Sequence, residues 1–165
     1  MQRFVATLRR RRRFGSERGL TLIELIVSFT ILFLLSGMAV PLARYKVRRD
    51  REKELRLALR EIRTAIDKYK DDADAGKFGQ IKMGTEGYPE NLQVLVEGMK
   101  LANEVDKKKK FLRRLPRDPF TNSNEWGMRS MQDDPKSMAW GGQHVFDVYS
   151  KTMEKAPDGT PYSEW

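Results

Sequence analysis

From Leu25 to Ala43 the chain runs 19 residues without a charged side chain, interrupted only by Ser28, Thr30, Ser36, Gly37 and Pro41. As a helix that stretch is about 28 Å long, close to the hydrocarbon thickness of a bilayer. Residues 20–43 are therefore expected to span a membrane. A cleaved secretory signal would have a shorter apolar core with its cut after that core. Pro41 follows Gly37 by four residues, so its ring should bend or loosen the helix there. Beyond it the pattern changes. Leu55, Leu59, Ile62, Ile66 and Tyr69 recur at alternating spacings of four and three, which is one face of an amphipathic helix. Arg51, Glu52, Lys53, Glu54, Arg56, Arg60, Glu61, Arg63, Asp67 and Lys68 occupy the other faces, with Glu52 and Arg56 a favourable i,i+4 pair. Residues 44–54 have almost no apolar stripe. A helix that polar sits in water or packs against other subunits.

The remainder breaks into shorter pieces. Asp71 to Gly87, with Gly76, Gly79, Gly84 and Gly87, predicts a loop. Tyr88-Pro89-Glu90-Asn91-Leu92 opens a short second helix with Leu92, Leu95, Val96 and Met99 inward. Lys107 to Lys110 predicts a charged surface turn. Strands are expected near residues 125–130 and 145–150, where Val145, Asp147 and Tyr149 alternate with Phe146, Val148 and Ser150. Gly141-Gly142 supplies a turn before the second strand, and Ala156 to Trp165 is expected to be coil. The fold class is α+β: a long N-terminal helix, half membrane-spanning and half amphipathic, on a small antiparallel sheet with a short second helix and a C-terminal loop.

Charge changes the picture mainly at the N-terminus. The 165-residue chain carries a formal +9, and residues 1–19 supply +6 of it through Arg3, Arg9 to Arg13 and Arg18 against Glu17. The rest is nearly balanced at +3. An arginine run invites a nucleic-acid reading, but one lying directly before an apolar span fits the positive-inside rule better. No nucleic-acid partner is expected. Three regions follow: a basic leader at 1–19, a membrane helix at 20–43 and a globular domain at 44–165.

Candidate chemistry is sparse. There is no cysteine, which excludes disulfides, thiolate metal sites and a cysteine nucleophile. His144 is the only histidine, and beside Gly141-Gly142 it reads as a solvated or capping side chain. Asp71-Asp72 and Asp133-Asp134 read as surface charges. With no P-loop, no HExxH and no credible triad, no enzymatic activity is expected. The residue that calls for a reason is Glu24. A charge inside a bilayer costs about 2.5–3.5 kcal/mol on insertion scales.

The segment Arg18-Gly19-Leu20-Thr21-Leu22-Ile23-Glu24 resembles the class III signal of prepilins, with Leu20 where phenylalanine is usual. Pro41 matches a proline that prepilins commonly carry. Further on, Tyr88-Pro89 with Leu92 and Leu95, Leu115-Pro116-Arg117-Asp118-Pro119-Phe120, Asp147-Val148-Tyr149-Ser150 and Asp158-Gly159 resemble motifs of the major, G-type pseudopilin of type II secretion. Phe120 stands there for the usual tryptophan. The resemblance covers most of residues 19–165.

It implies a pilin-like fold and a structural subunit. A prepilin peptidase/N-methyltransferase would cut between Gly19 and Leu20 and methylate the Leu20 amine. Leu20, Glu24 and Pro41 would serve assembly, Glu24 pairing with the amine of a neighbouring copy, since an unpaired charge in a low-dielectric bundle is costly. The implied partners are further copies in a homopolymer, minor pseudopilins, and an inner-membrane secretion platform with its motor ATPase. The implied place is the bacterial inner membrane, single-pass, with the C-terminal domain in the periplasm and the polymer a periplasmic pseudopilus. Many G-type subunits bind calcium in the final loop. Here Lys151 to Pro157 interrupts it, leaving Asp158, Ser163 and Glu164 as candidate ligands for Ca2+, and no cofactor is expected to be required. Two alternatives remain: a type IV pilin of a surface fibre for adhesion or motility, and an uncleaved bitopic membrane anchor.

Overall fold

The helix α1, Leu22–Asp74, belongs to two structural units whose boundary falls between Arg44 and Tyr45 in the computed structural model. The structure describes residues 19–79, 81–102 and 107–165. The arginine-rich leader expected at 1–19 thus lies, except for Gly19, outside the described residues.

In the first unit α1 is apolar and unburied. It is long and apolar enough to cross a membrane, and its apolar stretch is left uncovered by the protein's own fold. Its start is capped locally. The Glu24 N–H donates to Thr21 Oγ1 at 3.3 Å, and the Leu25 N–H donates to the Thr21 carbonyl at 3.1 Å. Two of the hydroxyls inside the span are satisfied within the helix. Ser28 Oγ donates to the Glu24 carbonyl at 2.7 Å and Thr30 Oγ1 to the Ile26 carbonyl at 2.8 Å. That removes the cost of a bare hydroxyl in an apolar surrounding. Pro41 lies inside α1.

In the second unit, 45–165, the predicted stripe is the core. Leu55, Leu59, Ile62, Ile66 and Tyr69 are all buried, joined by Ala58, Ala65 and Ala73. Against this face pack Leu92 and Leu95 of the segment around α2 (Gln93–Glu97), Leu112, Trp126, Val145, Val148 and Tyr162. Two small antiparallel sheets complete it. β1 (Met99–Lys100) pairs with β2 (Lys108–Lys109), Met99 opposite Lys109. β3 (Gly127–Arg129) pairs with β4 (Asp147–Tyr149), Met128 opposite Val148. The architecture is α+β and pilin-like, as expected.

Gly127 shows why β3 needs a glycine. A Cβ there would lie 2.2 Å from the Tyr149 ring. The ring is held over that point by its hydroxyl, which donates to the Met138 carbonyl at 2.8 Å, and by the Arg129 guanidinium, 4.1 Å from its centroid.

Several local expectations are corrected. α1 continues to Asp74, through the start of the predicted loop. Part of the lysine run is strand β2, not a turn. Lys109 Nζ lies 2.5 Å from Asp72 Oδ2 and Lys77 Nζ 2.6 Å from Asp72 Oδ1. Asp72, read as a surface charge, is therefore buried between two lysines. Arg56 does not pair with Glu52. Its guanidinium lies 4.2 Å from the Trp165 ring centroid, while Glu52 is 3.6 Å from Arg48. His144 is not solvated: it is fully buried, stacked on Tyr88, and its Nε2 accepts from the Met131 N–H at 3.2 Å.

The tail is not coil. Lys155 and Pro161 form a β-bridge, a 3-10 helix spans Tyr162–Glu164, and Tyr162 is completely buried. Its hydroxyl donates to Glu52 Oε1 at 2.8 Å and accepts from Arg48 Nε at 3.1 Å. Arg48 also donates to the Lys155 carbonyl. Even the polar stretch 44–54 therefore engages its own domain, through two side chains that periodicity could not single out.

Candidate processing and assembly segment

Gly19 and Leu20 lie in non-helical chain just before Thr21, and both are exposed. Leu20 is 71% exposed. A peptidase needs extended, reachable backbone at its cut, and the Thr21 cap ends the helix immediately after this dipeptide. A Cβ added at Gly19 would meet nothing within 4 Å. The fold itself therefore does not require glycine there.

Glu24 lies in the first turn of α1 and is exposed. A carboxylate there lies at the positive end of the helix dipole. Within the chain its backbone N–H meets Thr21, so the side chain is not what holds the cap. Glu24 follows Leu20 by only four positions, across the start of the helix. The two oppositely charged groups of a processed subunit would thus lie near one membrane depth.

Thr21 is the site residue that sequence reasoning missed. Thr21-Leu22-Ile23-Glu24 has the threonine-to-glutamate spacing that opens many helices, and that signal was legible in the sequence. Pro41 lies within the apolar half of α1, away from Gly19, Leu20 and Glu24 in sequence.

Each of the three candidate calcium ligand residues is already engaged within the fold. Asp158 Oδ1 accepts from the Thr160 N–H at 2.9 Å, and that bond holds its carboxyl below the usual range. The Ser163 carbonyl is taken by Arg129 Nη2 at 3.1 Å, and Glu164 lies 4.0 Å from Lys136 Nζ. No group of three His, Cys, Asp or Glu side chains among the described residues is arranged to hold a metal. The donor set does not fit an ion that takes six to eight oxygens with ample negative charge.

Residues 15–40 match the family model of the prokaryotic N-terminal methylation motif. The match covers the proposed cut, Glu24 and most of the apolar span. It supports placement in the type IV pilin-like superfamily, as a pilin or a pseudopilin. It also implies processing by a prepilin peptidase and assembly into pilus-like polymers. The long apolar helix is consistent with membrane anchoring. Comparison with curated proteins and with solved structures returned no match.

Proposed function

We propose that this chain is the major, G-type subunit of a type II secretion pseudopilus, a structural protein without enzymatic activity. The observation that carries the reading is the pairing of a methylation-type N-terminus with an apolar helix that its own fold leaves bare. Bare apolar helices are covered by lipid before assembly and by one another in a polymer. After cleavage before Leu20 and methylation of its amine, the ammonium of one copy and Glu24 of its neighbour carry opposite charge, which favours one axial register. The folded units then tile the outside of the filament. Minor pseudopilins and an inner-membrane platform with a motor ATPase would extend it into the periplasm, pushing folded proteins across the outer membrane. Calcium is not required.

The G-type assignment rests on the later motifs, to which the fold gives concrete work. Asp118 of Leu115-Pro116-Arg117-Asp118-Pro119-Phe120 accepts a hydrogen bond from Ser150 of Asp147-Val148-Tyr149-Ser150. Pro89 of the Tyr-Pro element is buried, and its carbonyl accepts from the Val145 N–H at 2.8 Å.

The test is the N-terminal mass of subunits recovered from cells, together with shear fractionation. A methylated Leu20 start with short, cell-associated filaments is expected. An intact Met1 start would leave only the uncleaved anchor. Long surface fibres with no effect of deletion on secretion would make it a type IV pilin.

A further inference from the structure

Charge returns at Arg44, the first residue after the uncharged run, and it returns with one dominant sign. In residues 44–51 the basic side chains Arg44, Lys46, Arg48, Arg49 and Arg51 stand against one acid, Asp50, for a net +4. All of this segment is α1. The acid and one of the arginines are engaged nearby. Asp50 Oδ1 lies 3.6 Å from Lys53 Nζ, and Arg48 reaches Tyr162 and Glu52. Lys46 and Arg51 are exposed and have no ion pair or hydrogen bond among the described residues. Arg49 is exposed as well, and its guanidinium lies 5.9 Å from the Tyr45 ring centroid. Tyr45 and Val47 are each more than half exposed.

The chain itself sets where this charge lies. Tyr45 to Arg51 follow Ala43 by two to eight residues, which in a helix is about 3–12 Å past the end of the run. The headgroup layer of a bilayer begins there and is about 5–8 Å deep on each side. Every Cα–Cβ bond of an α-helix tilts toward the helix N-terminus, and in α1 that is the direction of the run. The long stems of Lys46, Arg49 and Arg51 therefore lean back toward the lipid surface, the geometry in which basic side chains snorkel. At about 100° per residue, Lys46 and Arg49 share one side of the helix and Arg51 takes the other. Tyr45 stands at the level where tyrosine and tryptophan collect at membrane interfaces.

We propose that residues 45–51 form a collar that binds anionic phospholipid headgroups on the domain side of the span. A phosphodiester supplies the negative oxygens that the segment's own acids do not, and a guanidinium can meet a phosphate with two parallel N–H bonds. Each basic side chain near a lipid surface adds attraction to anionic lipid, and the attraction falls off within a Debye length. The collar fixes the depth of the span and the level at which the domain meets the membrane. It requires only that residues 20–43 cross a bilayer, so it is independent of the choice between pseudopilin, pilin and uncleaved anchor.

The chain has no cysteine, so Val47→Cys in the full chain takes a single fluorescent label inside the collar. The labelled chain is reconstituted in phosphatidylcholine bilayers containing either phosphatidylglycerol or phosphatidylcholine with a nitroxide near the headgroup. Nitroxides quench only at close range, so the arginines of residues 1–19, which precede the span, do not contribute. Quenching by phosphatidylglycerol should exceed that by phosphatidylcholine at least about threefold at low salt, and approach equality at high salt. Lys46→Gln with Arg49→Gln and Arg51→Gln should remove most of the preference. Lys68→Gln with Lys100→Gln and Lys108→Gln removes the same charge from exposed positions elsewhere in the domain and should keep it. If the collar variant is not recovered folded, the salt response decides. Equal quenching by both lipids at low salt, a preference that survives high salt, a collar variant that keeps it, or a control variant that loses it would overturn the collar. So would a label that neither lipid reaches, which would show the segment covered by protein. Failure of the chain to enter the bilayer would instead overturn the span on which the collar rests.

Discussion

Asp118 and Ser150, 32 residues apart in sequence, are both fully buried and joined by a hydrogen bond of 2.5 Å from Ser150 Oγ to Asp118 Oδ2. The other carboxylate oxygen accepts from the Phe120 N–H at 2.8 Å and the Thr121 N–H at 3.4 Å. One carboxylate thus closes the turn that follows it and ties that turn to the end of β4. Removing it strands a buried hydroxyl and two backbone donors. Asp118→Ala should destabilise the unit 45–165 by about 3 kcal/mol, and Ser150→Ala by about 1–3 kcal/mol. Urea unfolding of the two single variants and the double variant checks this. Strictly additive effects would show that the pair is not coupled.

Asp72 makes acid stability specific. Lys109 first, and Lys77 after it, hold its carboxyl below the usual range. A group whose folded pKa is depressed contributes stability above its unfolded value, about 3.9, and that contribution is lost as pH falls through the folded value. The unit should therefore lose stability below about pH 4. Asp72→Asn should be less stable at pH 7 and show a smaller further loss between pH 5 and pH 2. Parallel pH profiles of the two proteins would argue against the lysine clamp.

A Cβ at Gly19 would meet nothing within 4 Å, so its substitution should leave the fold untouched and act on processing alone. Gly19→Leu should accumulate uncut precursor, because a peptidase working at the membrane edge must approach the backbone closely. The mature-to-precursor ratio in membranes is the measurement. Maturation at the unaltered rate would place the cut elsewhere.

Glu24 is expected to serve assembly more than cleavage or folding. Glu24→Val keeps the backbone N–H that meets Thr21 and lowers the cost of lying in lipid. The variant should be inserted, cut and folded, yet fail to enter filaments, with Glu24→Asp intermediate because its reach is shorter. Normal filament yield from Glu24→Val would end the pairing mechanism.

Calcium should matter little. The unit 45–165 should melt at nearly the same temperature in chelator and in millimolar calcium, since the Asp158, Ser163 and Glu164 donors are otherwise engaged. A tight native-state ion present far above its dissociation constant would add several kcal/mol. A large calcium-dependent rise in melting temperature would refute this and make Asp158 the first ligand to replace.

By itself the sequence determined what is periodic or contiguous. The 19-residue uncharged run made the membrane-spanning helix legible, and the four-three spacing from Leu55 to Tyr69 marked the face that is buried. Both strands of the β3–β4 pair lie inside the segments expected for them. Such signals are local, because helix and strand geometry repeat over a few residues. Only the tertiary structure decided which polar groups go inside. Tyr162 on Arg48 and Glu52, Lys109 on Asp72, and Ser150 on Asp118 join residues far apart in the chain. Polar side chains in loops look alike in sequence whether they end in water or in the core. A buried charge or hydroxyl is tolerable only where a partner arrives to satisfy it, and that arrival is set by the path of the whole chain.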